Sequence, residues 1–358
     1  MSTLRLLPAA ALLALLTTAP SVQAEAQFTA SGIAQATFAR VVPVKPPRFA
    51  AIAGYALTGS FEDTTETGIR WGLTTRIGSG DFGRSDDAPG HNEKVALNEI
   101  FLFADTVYGR FRLGDDDGAA DRATDLLPTL VGGELTGDLP DTLRTRPAGH
   151  IGRDSDDATK FLYQTPRLLG LQLGLSYAPR RHSLGEEIVH PGGGLHERHL
   201  YEAALNYRGD AGPLSYELGA AYSHGSSKSP GIAGTDAISA AALLLYGGFS
   251  LGAIWFDNRD SAQPRGSRGT GGATVQGTYQ NGPYGLTLFW HQSDAAPAAQ
   301  AAVTAPTTVR ADGLGLEYEV LPEHLKIGLD LARTEARRRA PAPDESGHVL
   351  SLTLRTRF

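Results

Sequence analysis

The sequence predicts an all-β fold, a transmembrane antiparallel β-barrel of about 16 strands. Three observations predict it. Apolar and polar residues alternate with period 2 in segment after segment. Short and long connections alternate along the chain. The chain also ends on a patterned stretch, LSLTLRTRF, whose last residue is aromatic. Leu350, Leu352, Leu354, Thr356 and Phe358 share one parity there; Ser351, Thr353, Arg355 and Arg357 share the other. A strand would put leucines on one face and arginines on the other. The terminus of a water-soluble protein usually frays. This one is patterned to its final residue.

Residues 1–24 read as a cleavable export signal, with barrel from residue 25 to 358. Arg5 gives a positive start, Ala9 to Leu16 is a short apolar run, and Val22-Gln23-Ala24 offers small residues for cleavage. Removing Arg5 with it takes the formal charge from -7 to about -8. Beyond it no run of 18 apolar residues follows, so no transmembrane helix is available. Cysteine is absent, which excludes disulfides and Cys-ligated metal sites. The mild acidity argues against nucleic acid as a partner. The 43 glycines suit many strands joined by turns.

The strands begin at FTASGIAQATFAR. In Thr67 to Ile77, Ile69, Trp71, Leu73 and Ile77 oppose Arg70, Thr74 and Arg76. In Gly170 to Ala178, Leu171, Leu173, Leu175 and Tyr177 oppose Gln172, Gly174 and Ser176. In Leu214 to Ser223, Leu214, Tyr216, Leu218 and Tyr222 oppose Ser215, Glu217 and Ser223. In Thr274 to Gln280, Val275 and Tyr279 oppose Thr274, Gln276, Thr278 and Gln280. In His324 to Ala332, Leu325, Ile327, Leu329 and Leu331 oppose Lys326 and Asp330. Leu173 and Leu329 are thus expected to face lipid, and Gln172 and Gly328 the lumen. The pattern blurs in Phe49 to Phe61, Lys94 to Asp105 and Asp236 to Tyr246.

Short connections fall at Tyr108-Gly109, Pro166 to Gly170, Gly209 to Pro213, Gly247-Gly248, Asn281 to Pro283 and Leu321 to His324. Long ones fall at Gly78 to Glu93, Gly114 to Asp156, Arg180 to Glu197, Gly225 to Thr235, Asn258 to Gly269, Ser293 to Thr307 and Ala336 to Gly347. Short periplasmic turns and long extracellular loops mark a barrel of the outer membrane. Lipid cannot satisfy backbone polar groups, so a sheet in it must close on itself. Phe38, Trp71, Tyr177, Tyr207, Trp255, Tyr279 and Trp290 lie near strand ends, as interfacial girdles require.

Over its whole mature length the chain resembles a Gram-negative general-diffusion porin of the alphaproteobacterial type. The carrying features are GHVLSLTLRTRF, the order of strands and loops, and YGRFRLGDDDGAADRATDLLPTL. In the last, an Arg-rich strand leads into a long acidic loop after the fifth strand. The resemblance implies that this third loop folds into the lumen. It further implies a homotrimer, and Phe358 as an assembly signal read by the barrel-assembly machinery. Passive diffusion of ions and small hydrophilic solutes is the implied activity. A channel selective for sugars or anions is the alternative, and a barrel hydrolase a more distant one.

Other motifs dissolve on inspection. Gly78 to Gly83 matches GxGxxG, but no helix pattern follows to receive a pyrophosphate. Gly248 to Gly252 matches GxSxG, but Leu251 to Asp257 continues as a strand, which leaves Ser250 in the lumen. Arg208-Gly209-Asp210 is a turn. His190, His196 and His199 lack the HExxH spacing. Asp115, Asp116 and Asp117 miss the spaced EF-hand pattern, although clustered carboxylates could hold a loose Ca²⁺; no other cofactor is indicated. His291 is on lumen parity without an evident catalytic partner, and Phe256 and Phe289 are the inward aromatics.

Charge is more informative. The loop from Gly114 carries Asp115, Asp116, Asp117, Asp121, Asp125, Glu134 and Asp138. Lumen positions nearby carry Arg70, Arg76, Arg110 and Arg112, with Arg40 and Lys160 beside them. The expectation is a pore constriction with an acidic loop, Asp115 to Asp125, facing a basic wall. The small residues of Ala237 to Ala242 suggest a strand that packs against a neighbour.

Overall fold

The computed structural model describes residues 26–42, 48–79, 96–135, 151–183, 197–294, 306–338 and 343–358. The export signal, His190, His196 and most of the GxGxxG match lie outside them. The strands are β1 Gln27–Val42, β2 Arg48–Thr64, β3 Arg70–Ser79, β4 Ala96–Thr106, β5 Gly109–Asp115, β6 Thr159–Gln164, β7 Leu171–Arg180, β8 Glu197–Ala211, β9 Leu214–Ser227, β10 Asp236–Tyr246, β11 Phe249–Arg259, β12 Thr270–Asn281, β13 Tyr284–Asp294, β14 Pro306–Leu321, β15 Leu325–Arg338 and β16 Glu345–Arg357. Each pairs antiparallel with its neighbours in sequence, and β1 pairs with β16, so all 16 strands form one closed barrel. The short and long connections fall as expected with one exception. Only residues 43–47 separate β1 from β2, at the end where the other loops are long.

Parity sets the two faces. Leu173 is 50% exposed and Leu329 42%, whereas Gly174 and Asp330 on the opposite parity are buried. Arg on the lipid face costs roughly 2–4 kcal/mol at mid-membrane and less toward the interface, so Leu173→Arg, near the short-turn end of β7, is expected to cost part of that and Gln172→Arg, on the lumen face, much less. Yields of heat-modifiable folded barrel check this; equal yields would mean the faces are reversed. Gly328 is no fair partner in that comparison. A Cβ there would lie 2.9 Å from Val131 and Gly132 of the third loop, so the position faces the lumen but meets protein rather than water. An aromatic belt forms near the short turns. It includes Phe249 on Tyr279, with ring centroids 4.3 Å apart, and Tyr284 on Tyr318 at 5.4 Å.

The seam answers why the chain ends on an aromatic. Phe358 N–H donates to Gly32 O at 3.0 Å, and Gly32 N–H donates back to Phe358 O at 2.7 Å. The Phe358 ring lies over Gly32, in space that a Cβ would fill. Higher up, Thr37 and Thr353 hydroxyls meet at 3.0 Å across the same seam.

The apolar core is a seam between the third loop and the inner wall. Past β5 the chain enters the barrel through the short helix α1, Ala119–Thr124. Ala119, Ala120 and Ala123 pack on Leu162, Ala204 and Ala221. Leu126 and Leu127 pack on Ala241 and Ile254. Leu135 reaches Ala39, Phe289, Ala311, Ala332 and Val349 near the closing seam. The loop thus follows the wall from β6 round to β1. Small inward residues make its track. A Cβ on Gly219 would overlap the Ala123 carbonyl, and one on Gly252 would come within 2.6 Å of Pro128. This is also why Ala237, Ser239 and Ala241 are small: they face inward, and Ser239 meets Thr124 at 3.2 Å. Phe256 and Phe289 do point inward, but both are covered.

Candidate functional site: the loop and the open wall

Among the described residues the third loop packs on the wall from β6 round to β1, and the inner wall carries its arginines on β3 and β5. Sequence reasoning found these and missed their partners. Asp105 Oδ2 accepts from Arg70 Nη2 at 2.5 Å, and Asp105 Oδ1 from Arg110 Nε at 2.6 Å. Arg76 pairs with Glu99 at 3.0 Å. Both acids lie on β4, whose alternation is blurred because Phe101 and Phe103 share their inward parity. Those rings have a use: Arg112 lies 4.7 Å over Phe101, and Arg70 5.6 Å over Phe103. Arg40 departs from expectation. It is exposed and lies 6.0 Å over Phe49 on the outward face, because its parity is that of Phe38.

The loop carboxylates divide by exposure. Asp115 and Asp116 are 0% and 1% exposed. Thr159 Oγ1 donates to Asp115. Asp116 takes Arg112 at 2.7 Å on one oxygen and Arg122 at 2.5 Å on the other. Lys160 is also buried, donating to the carbonyls of Asp116 and Asp156. These groups fasten the loop to the wall and do not face water. Asp117, with 43% of its side chain exposed, Asp121 and Asp125 do reach the aqueous space. On the wall, Arg70 (46%) and Arg110 (41%) reach it as well. One cavity of about 620 Å³ beneath α1 is lined by Asp105, Arg110, Asp117, Asp121 and Asp125 among others. The structure therefore brings Arg110 together with the exposed loop acids, and holds Arg70 and Arg76 on acids of the wall. Among the described residues no three side chains of metal-ligating type form a site.

Buried acids on the strands hold the loop in place. Glu202 Oε2 accepts from Ala120 N–H at 3.1 Å and Ser176 Oγ at 2.7 Å, while Oε1 accepts from Ser155 N–H at 2.6 Å. It thus binds both the outgoing and the returning leg. Glu317 accepts from Val131 N–H at 2.6 Å, Asp330 from Gly133 N–H, and Arg355 pairs with Glu134. The sequence pattern places Asp330 on the lumen face and Glu134 in the acidic loop, and it singles out neither Glu202 nor Glu317. His291, the residue closest to a catalytic suggestion, is 2% exposed, with Nδ1 2.8 Å from Thr274 Oγ1. It aligns with Thr274 on β12, whereas Ser250 aligns with Thr278.

Burial inside the barrel perturbs the loop's own carboxyls. Asp121 is pushed well above the usual carboxylate range by burial and then by Asp117, Asp125 and Asp154, against Arg122. Asp154 is pushed up to about 7 by burial, then by Glu202 on β8 and Asp156, opposed by Arg181 just past β7 and Lys160 on β6. The sign is that of acids favouring their neutral form when folded. Docking of the loop is strongest below the ordinary carboxylate pKa, and that gain is lost as pH rises to about 7. Taking the channel from pH 8 to pH 5 is expected to quieten open-channel noise and shift the zero-current potential toward anions. A flat profile over that interval, read in a planar bilayer, would show that these carboxyls ionise at ordinary pH.

A family model for the Gram-negative porin matches residues 9–335. Among solved structures the chain is similar to an anion-selective porin from Comamonas acidovorans, at 19% identity and a TM-score of 0.59, covering 93% of this chain and 100% of that one. It is also similar to an engineered variant of the Rh. blastica porin, at 15% identity and a TM-score of 0.56 with the same coverage. No curated protein sequence matches it. A closed barrel with its third loop laid along the inner wall, and a family match over most of the sequence, lead to one assignment: the chain belongs to the Gram-negative porins, diffusion channels of the outer membrane.

Proposed function

We propose that this porin passes ions and small hydrophilic solutes through a constriction bounded by Asp117, Asp121 and Asp125 on the loop and by Arg70 and Arg110 on the open wall. The observation that carries this is the shared aqueous space of Arg110 and the loop carboxylates. Nothing reacts; passage depends on width and on the field between the two charged edges. Single-channel conductance in a planar bilayer tests it. An open, salt-proportional conductance supports a water-filled pore, and a closed bilayer with folded protein refutes one.

A homotrimer is part of this reading. Its support is a patch of small outward residues on β1 and β2, where Ala36 aligns with Ala53 and Ala30 with Gly59. The inward-facing half of Ala237 to Ala242 is already committed to the loop, so that segment supports a neighbour less well. Phe358 is the proposed recognition mark for assembly. Deleting it is expected to cut outer-membrane insertion severely, with normal conductance in the few pores that form. Heat-modifiable protein at full level from the truncated gene would remove that role.

A further inference from the structure

We propose that the cavity beneath α1 is a binding subsite for small zwitterions, with Asp121 taking the ammonium group and Arg167 the carboxylate. This rests on the porin reading and deepens it. The cavity, about 620 Å³, has α1 on one side and the short-turn ends of β4 to β9 on the other. That is ample for an amino acid or dipeptide with some of its water.

Most charges lining it are already matched. Asp105 holds Arg110, Arg122 holds Asp116 and Asp117, Arg208 holds Glu217 at 2.8 Å, and Asp125 is engaged as well. Two are not. Among the described residues Asp121 makes no ion pair. Arg167 makes none either; its guanidinium donates only to neutral acceptors. These are Gly170 O at 2.7 Å from Nη1, and Gln172 Oε1 at 3.1 Å and Asn206 Oδ1 at 2.7 Å from Nη2. Asn206 is itself oriented by donating to Glu217 at 2.7 Å. The guanidinium is thus fixed in one pose, with two of its five N–H groups still to give.

A held cation on the wall and an unmatched carboxyl on α1, both lining one cavity, leave one charge of each sign to be met. A lone anion or a lone cation satisfies half of this arrangement. A solute with both charges satisfies all of it. The neighbours of Asp121 point the same way. Burial, and then repulsion from Asp117, Asp125 and Asp154, works against its ionised form, and an incoming ammonium offsets the repulsion.

The experiment is block of single-channel current in a planar bilayer by four probes: Ala-Ala dipeptide, its N-acetyl derivative, its amide, and the N-acetyl amide. They carry both charges, the negative only, the positive only, and neither. The free dipeptide is expected to block at a concentration about fivefold lower than either singly charged probe. Asp121→Asn and Arg167→Gln are each expected to remove about that same factor, bringing the dipeptide level with the singly charged probe that keeps the remaining contact. Arg259→Gln, at the rim and outside the cavity, should leave block unchanged. Equal block by all four probes in a conducting channel overturns the subsite and leaves the pore intact. So does an N-acetyl probe as potent as the dipeptide, which would make this an anion site alone. Folded protein without conductance overturns the porin reading and the subsite with it.

Discussion

Glu202→Ala is expected to release the third loop at both of its legs, giving a pore of larger conductance with frequent closures. The single carboxylate accepts from Ala120 on the way in and from Ser155 on the way out. It is 3% exposed, and a hydrogen bond to a buried charged group contributes about 1.5–3 kcal/mol. Losing it also strands two loop N–H groups in a dry seam, so a docking loss of roughly 3–5 kcal/mol is the expected scale. The barrel itself should stand, because Glu202 pairs with Ser176 and Ser223 through its backbone, which the substitution leaves in place. Gly219→Leu attacks the docking of α1 from the packing side, since a side chain there takes the place of the Ala123 carbonyl. Both variants should keep their heat-modifiable mobility while gaining protease sensitivity near Arg122. Wild-type conductance and wild-type noise in both would mean that the loop is held elsewhere, by Glu317, Asp330 and Arg355.

What the sequence discloses here follows from what a barrel demands of it. Lipid imposes period 2 on the outward face, so strand number, parity and loop length are legible residue by residue. The inner face answers to two masters, water and the third loop, and the pattern does not separate them. Gly174, Gly219, Gly252, Gly285, Gly315 and Gly328 all lie on inward parity between apolar outward neighbours, and all underlie the loop. That repeated glycine was the available signal, and it reads in isolation only as a weak strand position. The acids divide in the same way. DDDG reads as one acidic run, yet Asp115 and Asp116 are shut in the seam while Asp117 is open. Arg122 decides this by folding back onto Asp116, a pairing that a short helix permits and a linear reading cannot show. Likewise Phe101 and Phe103 blur the alternation of β4 because they lie under arginines, and so they hide Glu99 and Asp105.

Charge substitution at the constriction should separate pore-facing groups from fastening groups. Two unit charges 8 Å apart interact by about 0.5 kcal/mol in bulk water and about 2 kcal/mol at an effective dielectric of 20. In a narrow passage walled by protein the larger value is the better guide, so a few charges change relative permeability severalfold. Replacing Asp117, Asp121 and Asp125 by Asn is expected to move the zero-current potential toward anions. Replacing Arg70 and Arg110 by Gln should move it toward cations, with an added push from Asp105, which loses its partners at 2.5 and 2.6 Å. Both shifts should shrink as salt rises, because screening acts over roughly 8–10 Å at ordinary ionic strength. Asp115→Asn and Asp116→Asn should behave differently. Asp116 is enclosed between Arg112 and Arg122, so its loss unbalances the fastening and shows as noise and variable conductance before any orderly change in selectivity. Folding is verified first by heat-modifiable migration, and the potential is then read across a salt gradient in a planar bilayer. If Asp116→Asn shifts selectivity as cleanly as Asp121→Asn does, the division by burial is wrong and the whole acidic run faces the pore. If neither the three aspartates nor the two arginines move the potential, selectivity is set outside this constriction.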